Sequence, residues 1–296
     1  MCNFALHVFQ TSTQPIRKKK ILTLKKDTDM IKKLLFAIVA AITFSACGTT
    51  STVPLTGRKH NLLVSDAQVL SLSQEQYQQV LKQSTLSTNA TQTAMVKRVG
   101  QRLATAVENY LRNNGAADEL QYYKWEFNLV KSNSVNAFCM PGGKIVVYEG
   151  ILPVTQDEAS LAIVLGHEIA HAVAKHSAEQ LSKQMRQQYG TQILSSVVGS
   201  ATNANTASLI AGIAQQGFSF ANLKYSRDNE TEADYMGLIF AAMAGYDPQV
   251  AVSFWQRMAA SSTAKTSEIL SDHPSDATRI ANIQKSMPEA LKYYKK

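Results

Sequence analysis

The 296-residue sequence predicts an α+β domain, predominantly helical with a small twisted sheet, and three observations carry that reading. Apolar residues recur at helical spacing, most plainly Val96, Val99, Leu103, Val107 and Leu111 within residues 91–112. Two short β-rich stretches, residues 125–130 and Lys144–Tyr148, flank the turn Pro141-Gly142-Gly143. His167-Glu168-Ile169-Ala170-His171 sets two imidazoles four residues apart, a spacing that brings both to one face of a helix. With 45% hydrophobic and 18% charged residues, the chain has the composition of a globular protein able to bury a substantial core.

The N-terminal residues read as a targeting signal. Met30-Ile31-Lys32-Lys33 is a short positive start, and residues 34–44 are an apolar run too short to span a bilayer. It ends in Phe44-Ser45-Ala46-Cys47, which resembles a bacterial lipobox with Cys47 as the lipidated first residue of the mature chain. A plain cleaved signal or an anchoring helix is the alternative. The domain plan is then an upstream extension and signal peptide over 1–46, a lipidated N-terminus and polar tether over 47–63, and one folded domain over 64–296. The net charge of +8 belongs largely to residues 1–46, which hold eight basic and two acidic residues. The remainder carries 22 basic against 20 acidic residues, which is no footprint for a nucleic acid.

Helical patterns follow over residues 65–83 and 91–112, the second stopped by Asn113-Asn114-Gly115. Trp125, Phe127 and Leu129 alternate with Glu126 and Asn128, the pattern of a half-buried strand. The helix bearing the histidine pair is expected to start near Thr155, capped with Glu158, and to run to about Gln187. Residues 187–223 lack any charge but are rich in Ser, Thr, Asn, Gln and Gly. They read either as two packed helices broken near Asn203-Ala204-Asn205 or as a flap over the site. Further helices are expected over 225–244 and 249–260, and a last one opened by Pro274. Of the three cysteines, Cys139 stands alone and reads as a small packed residue, leaving no intramolecular disulfide.

H-E-x-x-H supplies two zinc ligands, His167 and His171, and a base, Glu168, beside the metal's open position. Fifty-nine residues after His171, Glu230 and Asp234 share a helix face, so one can ligate while the other orients an imidazole. Glu230 is assigned as the ligand and Asp234 as the brace. Glu232 falls roughly 200° around the helix from Glu230, away from the metal. His176 falls roughly 140° off the face of His171 and reads as packing or solvent, and His60 shows no partner.

Beyond single motifs, Ser226-Arg227-x-x-Glu230-x-x-Ala233-Asp234 follows H-E-x-x-H in order. Asn136-Ala137-Phe138-x-x-Pro141-Gly142-Gly143 lies upstream and His273-Pro274-Ser275-x-x-x-x-Arg279 downstream. Together these elements resemble the HtpX/Oma-type family of zinc metalloproteases over roughly residues 55–290. The resemblance implies a zincin-like gluzincin domain whose edge strand lines the cleft. It implies one zinc ion per chain on His167, His171 and Glu230, with Glu168 as general base. Lys144, Ile145, Val146, Val147 and Tyr148 would be the edge strand that aligns an extended polypeptide; a buried central strand is the alternative for so apolar a run.

His273 would stabilise an oxyanion, occupy the open metal position, or only cap the last helix. Arg279 would donate to the oxyanion or pair with an acid. Lacking membrane helices and 34-residue helical repeats, the sequence is most similar to the family's lipoprotein members of the bacterial envelope. That implies a lipid-anchored endopeptidase at the outer membrane facing the periplasm, acting on misfolded or unassembled membrane-associated proteins. The rivals are a chaperone-like assembly factor that seldom cuts and a hydrolase of cell-wall amides.

Overall fold

A computed structural model describes residues 49–198, 203–261 and 277–295. The stretch expected as a polar tether is a hairpin instead: β1 (Thr49–Thr52) pairs antiparallel with β2 (Lys59–Leu62). Its threonines suit a strand, and the inward alternation of His60 and Leu62 on β2, with Val53 in the main core, ties it down. Cys47 and the signal-like residues lie outside the described residues.

Helix α1 (Asp66–Gln83) starts where Ser65 and Gln68 form a capping box, and α2 (Ala90–Asn113) where the Asn89 side chain accepts from the Gln92 amide at 3.0 Å. The predicted stripe of α2 is buried in full. A three-stranded sheet follows, β3 (Glu126–Val130), β4 (Ala137–Met140) and β5 (Lys144–Tyr148), in the order β3-β5-β4. β5 runs parallel to β3 and antiparallel to β4, and the turn into it needs both Gly142 and Gly143 at positive φ.

This order overturns the expected edge strand. Lys144–Tyr148 is the central strand, with Ile145 and Val147 in one core and Val146 in the other. A strand packed on both faces reads as a continuous apolar run, and that is why its sequence lacks alternation. Lys144 turns its ammonium to the Lys124 carbonyl at 2.7 Å and to Glu126. β4, which the periodicity missed because its four residues are all apolar and all buried, is an edge of the sheet.

After a short turn, α3 (Leu152–Thr155), the helix α4 (Glu158–Val173) carries the histidine pair. It starts later than expected. The Asp157 side chain accepts from the Ser160 amide at 2.7 Å, while the Thr155 hydroxyl is spent on the Leu152 carbonyl at 3.0 Å. Gln156, at φ 68°, separates the two turns. α4 is buried on all sides from Ser160 onward, as befits a helix through the middle of a domain.

The helix also stops earlier. Lys175, at φ 56°, breaks the chain in the left-handed region, and α5 (His176–Val198) departs on a new axis. α5 and α6 (Asn203–Gln215) are the two packed helices expected of the uncharged stretch, joined by Gln188 to Gln216 at 2.9 Å. α7 (Arg227–Met243), capped by Ser226, crosses α4 closely, and α8 (Val250–Ser261) and α9 (Ala277–Leu291) complete the main core. Among the described residues, no helix is long and apolar enough to cross a membrane.

Candidate active site

Helical spacing and one close crossing build the site. His167 and His171 stand one turn apart on α4, both buried, with their Nε2 atoms 3.0 Å apart. Glu230 comes from the first turn of α7, with Oε2 3.5 Å from His167 Nε2 and Oε1 3.3 Å from His171 Nε2. The crossing lets these atoms converge because α4 and α7 touch backbone to backbone at Gly166 and Gly237. Three donors on zinc bonds of about 2.0–2.2 Å at tetrahedral angles lie roughly 3.3 Å from one another, so the two imidazoles and the carboxylate fit that ion. Among the described residues, this is the one group of three metal-capable side chains.

Behind the triad lies its support. Asp234, one turn beyond Glu230, accepts the His167 Nδ1–H at 2.9 Å, which leaves Nε2 facing the donor cluster. Arg279 from α9 donates to the same Asp234 oxygen at 2.7 Å, lies 3.5 Å from Glu230, and stacks 3.5 Å over the Trp255 ring. Of the two roles open to Arg279, pairing with an acid is the one observed, and the side chain is buried.

Burial pushes the Asp234 carboxyl up, but the Arg279 charge and the His167 bond outweigh it and hold the group below its ordinary value. Burial and Arg279 pull His167 down, yet the hydrogen bonds to Asp234 and Glu230 prevail and raise it to about 9. His171 is driven well below its ordinary value, chiefly by burial. Tyr225 stacks on the His171 ring at 4.0 Å and 19° and shares a hydrogen bond with Ser177 at 2.9 Å.

Glu168, 2% exposed, lies near β4: burial and its carboxylate together push the Cys139 thiol well up. Cys139 is therefore a packed thiol, as its isolation in the sequence predicts. His273 lies outside the described residues. Lys144–Tyr148, as the central strand, does not supply the cleft edge.

Four groups escaped the sequence reading. His176 is fully buried, with Nδ1 2.8 Å from His171 Nδ1, because the break at Lys175 turns it back toward the ligand. Glu232, set aside as facing away, bonds His176 at 2.9 Å. His60 has a partner after all in Glu179, at 3.1 Å. Trp255 lies 6.1 Å from the His167 ring and carries Arg279. Only the extra histidine five residues past His171 was a visible signal.

A helix bearing H-E-x-x-H crossed by a second bearing E-x-x-x-D, beside a small sheet, defines the class: a zincin-like metallopeptidase domain. The chain belongs to peptidase family M48, whose model matches residues 90–287. It is 34% identical over 186 residues to the mitochondrial metalloendopeptidase OMA1 of Schizosaccharomyces pombe, covering 62% of this chain and 53% of that protein. Human mitochondrial metalloendopeptidase OMA1 is 30% identical over 246 residues, covering 81% and 46%. The beta-barrel assembly-enhancing protease of Escherichia coli K12 is 24% identical over 264 residues, covering 85% and 51%. The chain thus spans about half the length of these relatives.

Proposed function

We propose that this chain is a zinc-dependent endopeptidase. One observation carries the reading: donor atoms of His167, His171 and Glu230 lie 3.0–3.5 Å apart beside the buried Glu168. Those three residues would hold the ion and leave a position for water. The chemistry zinc supplies in such a donor set is Lewis acidity toward a water and a carbonyl oxygen. Glu168 takes the proton from the attacking water and passes it to the departing amide nitrogen. Asp234, backed by Arg279, keeps His167 in the tautomer that presents Nε2.

The substrate track is β4 in place of β5. The Tyr148 amide donates to the Asn136 carbonyl at 3.0 Å, so by antiparallel alternation Ala137 and Cys139 turn their backbone groups to the outer edge. An extended peptide adds there as a further strand. The Ala137 amide, now held by Asn136 Oδ1 at 2.9 Å, is the first donor it would take.

The finer reading is a bacterial envelope enzyme, lipid-anchored at Cys47 and facing the periplasm, that removes misfolded or unassembled membrane-associated proteins. The signal-like residues 30–47 support the address, and a relative named for beta-barrel assembly supports the substrate class. The test is incubation of the zinc-loaded chain with an unfolded protein, with and without chelator, beside Glu168→Gln. Cleavage is expected to vanish with chelator and to fall by at least roughly a hundredfold in the variant, with zinc retained. Undiminished cleavage by Glu168→Gln sinks the mechanism. Binding without cleavage in the wild type favours the assembly-factor reading.

A further inference from the structure

The metal ligand His171 is not held as His167 is. His167 rests directly on a carboxylate, whereas His171 rests on a second histidine, and the hydrogen bonds beyond it run in one direction. If Nε2 of His171 faces the metal, its Nδ1–H must donate to Nδ1 of His176, 2.8 Å away. His176 then carries its proton on Nε2 and donates to Glu232 Oε2 at 2.9 Å. Both oxygens of Glu232 are engaged further: Thr56 donates to Oε1 at 2.5 Å and Arg58 Nε to Oε2 at 2.7 Å. Along this line each imidazole N–H meets an acceptor, and the tautomers of both imidazoles are set from the far end.

Thr56 and Arg58 belong to the loop of the N-terminal hairpin, more than 170 residues from Glu232 in sequence. Several contacts hold that loop in place. Val53 is buried in the main core, and the Val53 and Gly57 amides donate to the Arg58 and Val53 carbonyls at 2.8 and 3.0 Å. Leu55 is kept at φ 76°, a conformation that a leucine adopts only where its surroundings impose it. Arg58 also reaches Glu179 at 2.6 Å, and Asn229 of α7 donates to the other Glu179 oxygen at 3.0 Å. The hairpin is thereby clamped to α5 and α7 at the place where Glu232 and His176 meet.

We infer that the N-terminal hairpin is a working part of the metal centre: Thr56 and Arg58 fix Glu232, Glu232 fixes His176, and His176 orients His171 toward the ion. The four are positioning residues, and the inference rests on the proposal that His171 is a zinc ligand. Loss of a group that orients a metal-bound imidazole typically weakens metal binding by roughly 10–100-fold. A side chain that merely fills space has no such effect when replaced by one of similar volume.

The test is zinc affinity by competition with a chromophoric chelator, on the whole chain, with the metal-free melting temperature recorded beside it. His176→Leu keeps the volume but loses the acceptor, and is expected to weaken zinc binding by roughly 10–100-fold. His176→Asn returns an oxygen near the position of Nδ1 and should recover most of that loss. Arg58→Leu should weaken binding by a smaller factor, and only when His176 is present to transmit it. In the His176→Leu background the Arg58 change should add nothing.

Wild-type zinc affinity in His176→Leu would overturn the inference. So would an Arg58→Leu effect of equal size in both backgrounds, since the hairpin would then support the fold and not the ligand. Should His176→Leu fail to fold, Thr56→Val, which deletes only the hydroxyl on Glu232, carries the same test against its own melting temperature. A wild-type chain that binds no zinc would remove the metal reading and this inference with it, an outcome distinct from wild-type binding that the variants leave untouched.

Discussion

Gly237→Ala tests whether the crossing of α4 and α7 sets the geometry of the metal site. A Cβ on Gly237 would stand 2.7 Å from the His167 amide nitrogen and 2.9 Å from both the Gly166 carbonyl carbon and His167 Cα. All three are backbone atoms of α4, so no flexible side chain can give way. Ordinary contact begins near 3.4 Å, so the helices must part by about 0.7 Å. Asp234 and Glu230 lie one and two turns from Gly237 on the same rigid helix, so most of that shift reaches them.

Metal–ligand distances tolerate only roughly 0.2 Å, so a shift of that size draws Glu230 away from the two imidazoles it now approaches at 3.3 and 3.5 Å. The expected result is zinc affinity lower by roughly 10–100-fold, comparable to loss of an orienting partner, and a stability loss of about 1–3 kcal/mol. Chelator competition reads the first and thermal melting of the metal-free protein the second. Gly190→Ala is the control, because a Cβ there meets nothing within 4 Å and its backbone is not left-handed. Wild-type zinc affinity in Gly237→Ala, even with a lowered melting temperature, would refute the reasoning.

Two other outcomes are expected. Asp234→Asn removes the charge opposite Arg279 and unsettles the His167 tautomer; zinc affinity should drop by roughly 10–100-fold in chelator competition, with helical content by circular dichroism unchanged. Glu179 predicts an acid limb of stability. Burial raises its pKa, but hydrogen bonds from His60 and Arg58 more than offset this and bring it from 4.5 to about 2. A depressed carboxylate stabilises the fold above its unfolded value, and that stability is lost as pH falls from about 4.5 toward 2. The loss is on the order of 3 kcal/mol, and urea denaturation at pH 7 and pH 3 should show it shrinking in Glu179→Gln. An unaltered pH dependence in that variant would contradict the assignment.

The candidate triad of His167, His171 and Glu230 was legible because each of its parts is local. His167 with His171, and Glu230 with Asp234, are offsets of four within helices, and such offsets share a face wherever the helix happens to start. The errors all lie where a local pattern was carried past its reach. Residues Thr155 and Glu158 carry the letters of a capping box, but Asp157 with Ser160 offers the same chemistry two residues later and wins. The resemblance implies an edge for β5 while its apolar run leaves a central place open, and β4, four buried apolar residues, shows no period that would decide between them. His176 was projected along a helix that Lys175 had already ended, and no glycine marked the break.

The hairpin shows the limit most clearly. Threonine- and serine-rich residues after a signal-like segment look like a tether, and only contacts with α5 and α7 reveal what they hold. The ligands therefore come from short-range spacing, whereas half of their support comes from a segment far away in sequence. This division has a physical consequence. Two imidazoles and a carboxylate at helical offsets determine which ion fits, but imidazole rings turn freely about χ2 unless a second bond stops them. His167 takes that bond from Asp234 on the helix that already carries Glu230, so its orientation is as local as its ligation. His171 takes it through His176 and Glu232 from the hairpin, so the holding power of the site depends on whether that hairpin is docked. Replacing Thr56 and Arg58 together would keep the candidate ligands, the base and His176, so chelator competition should show zinc affinity lowered by less than in His176→Leu but lowered all the same.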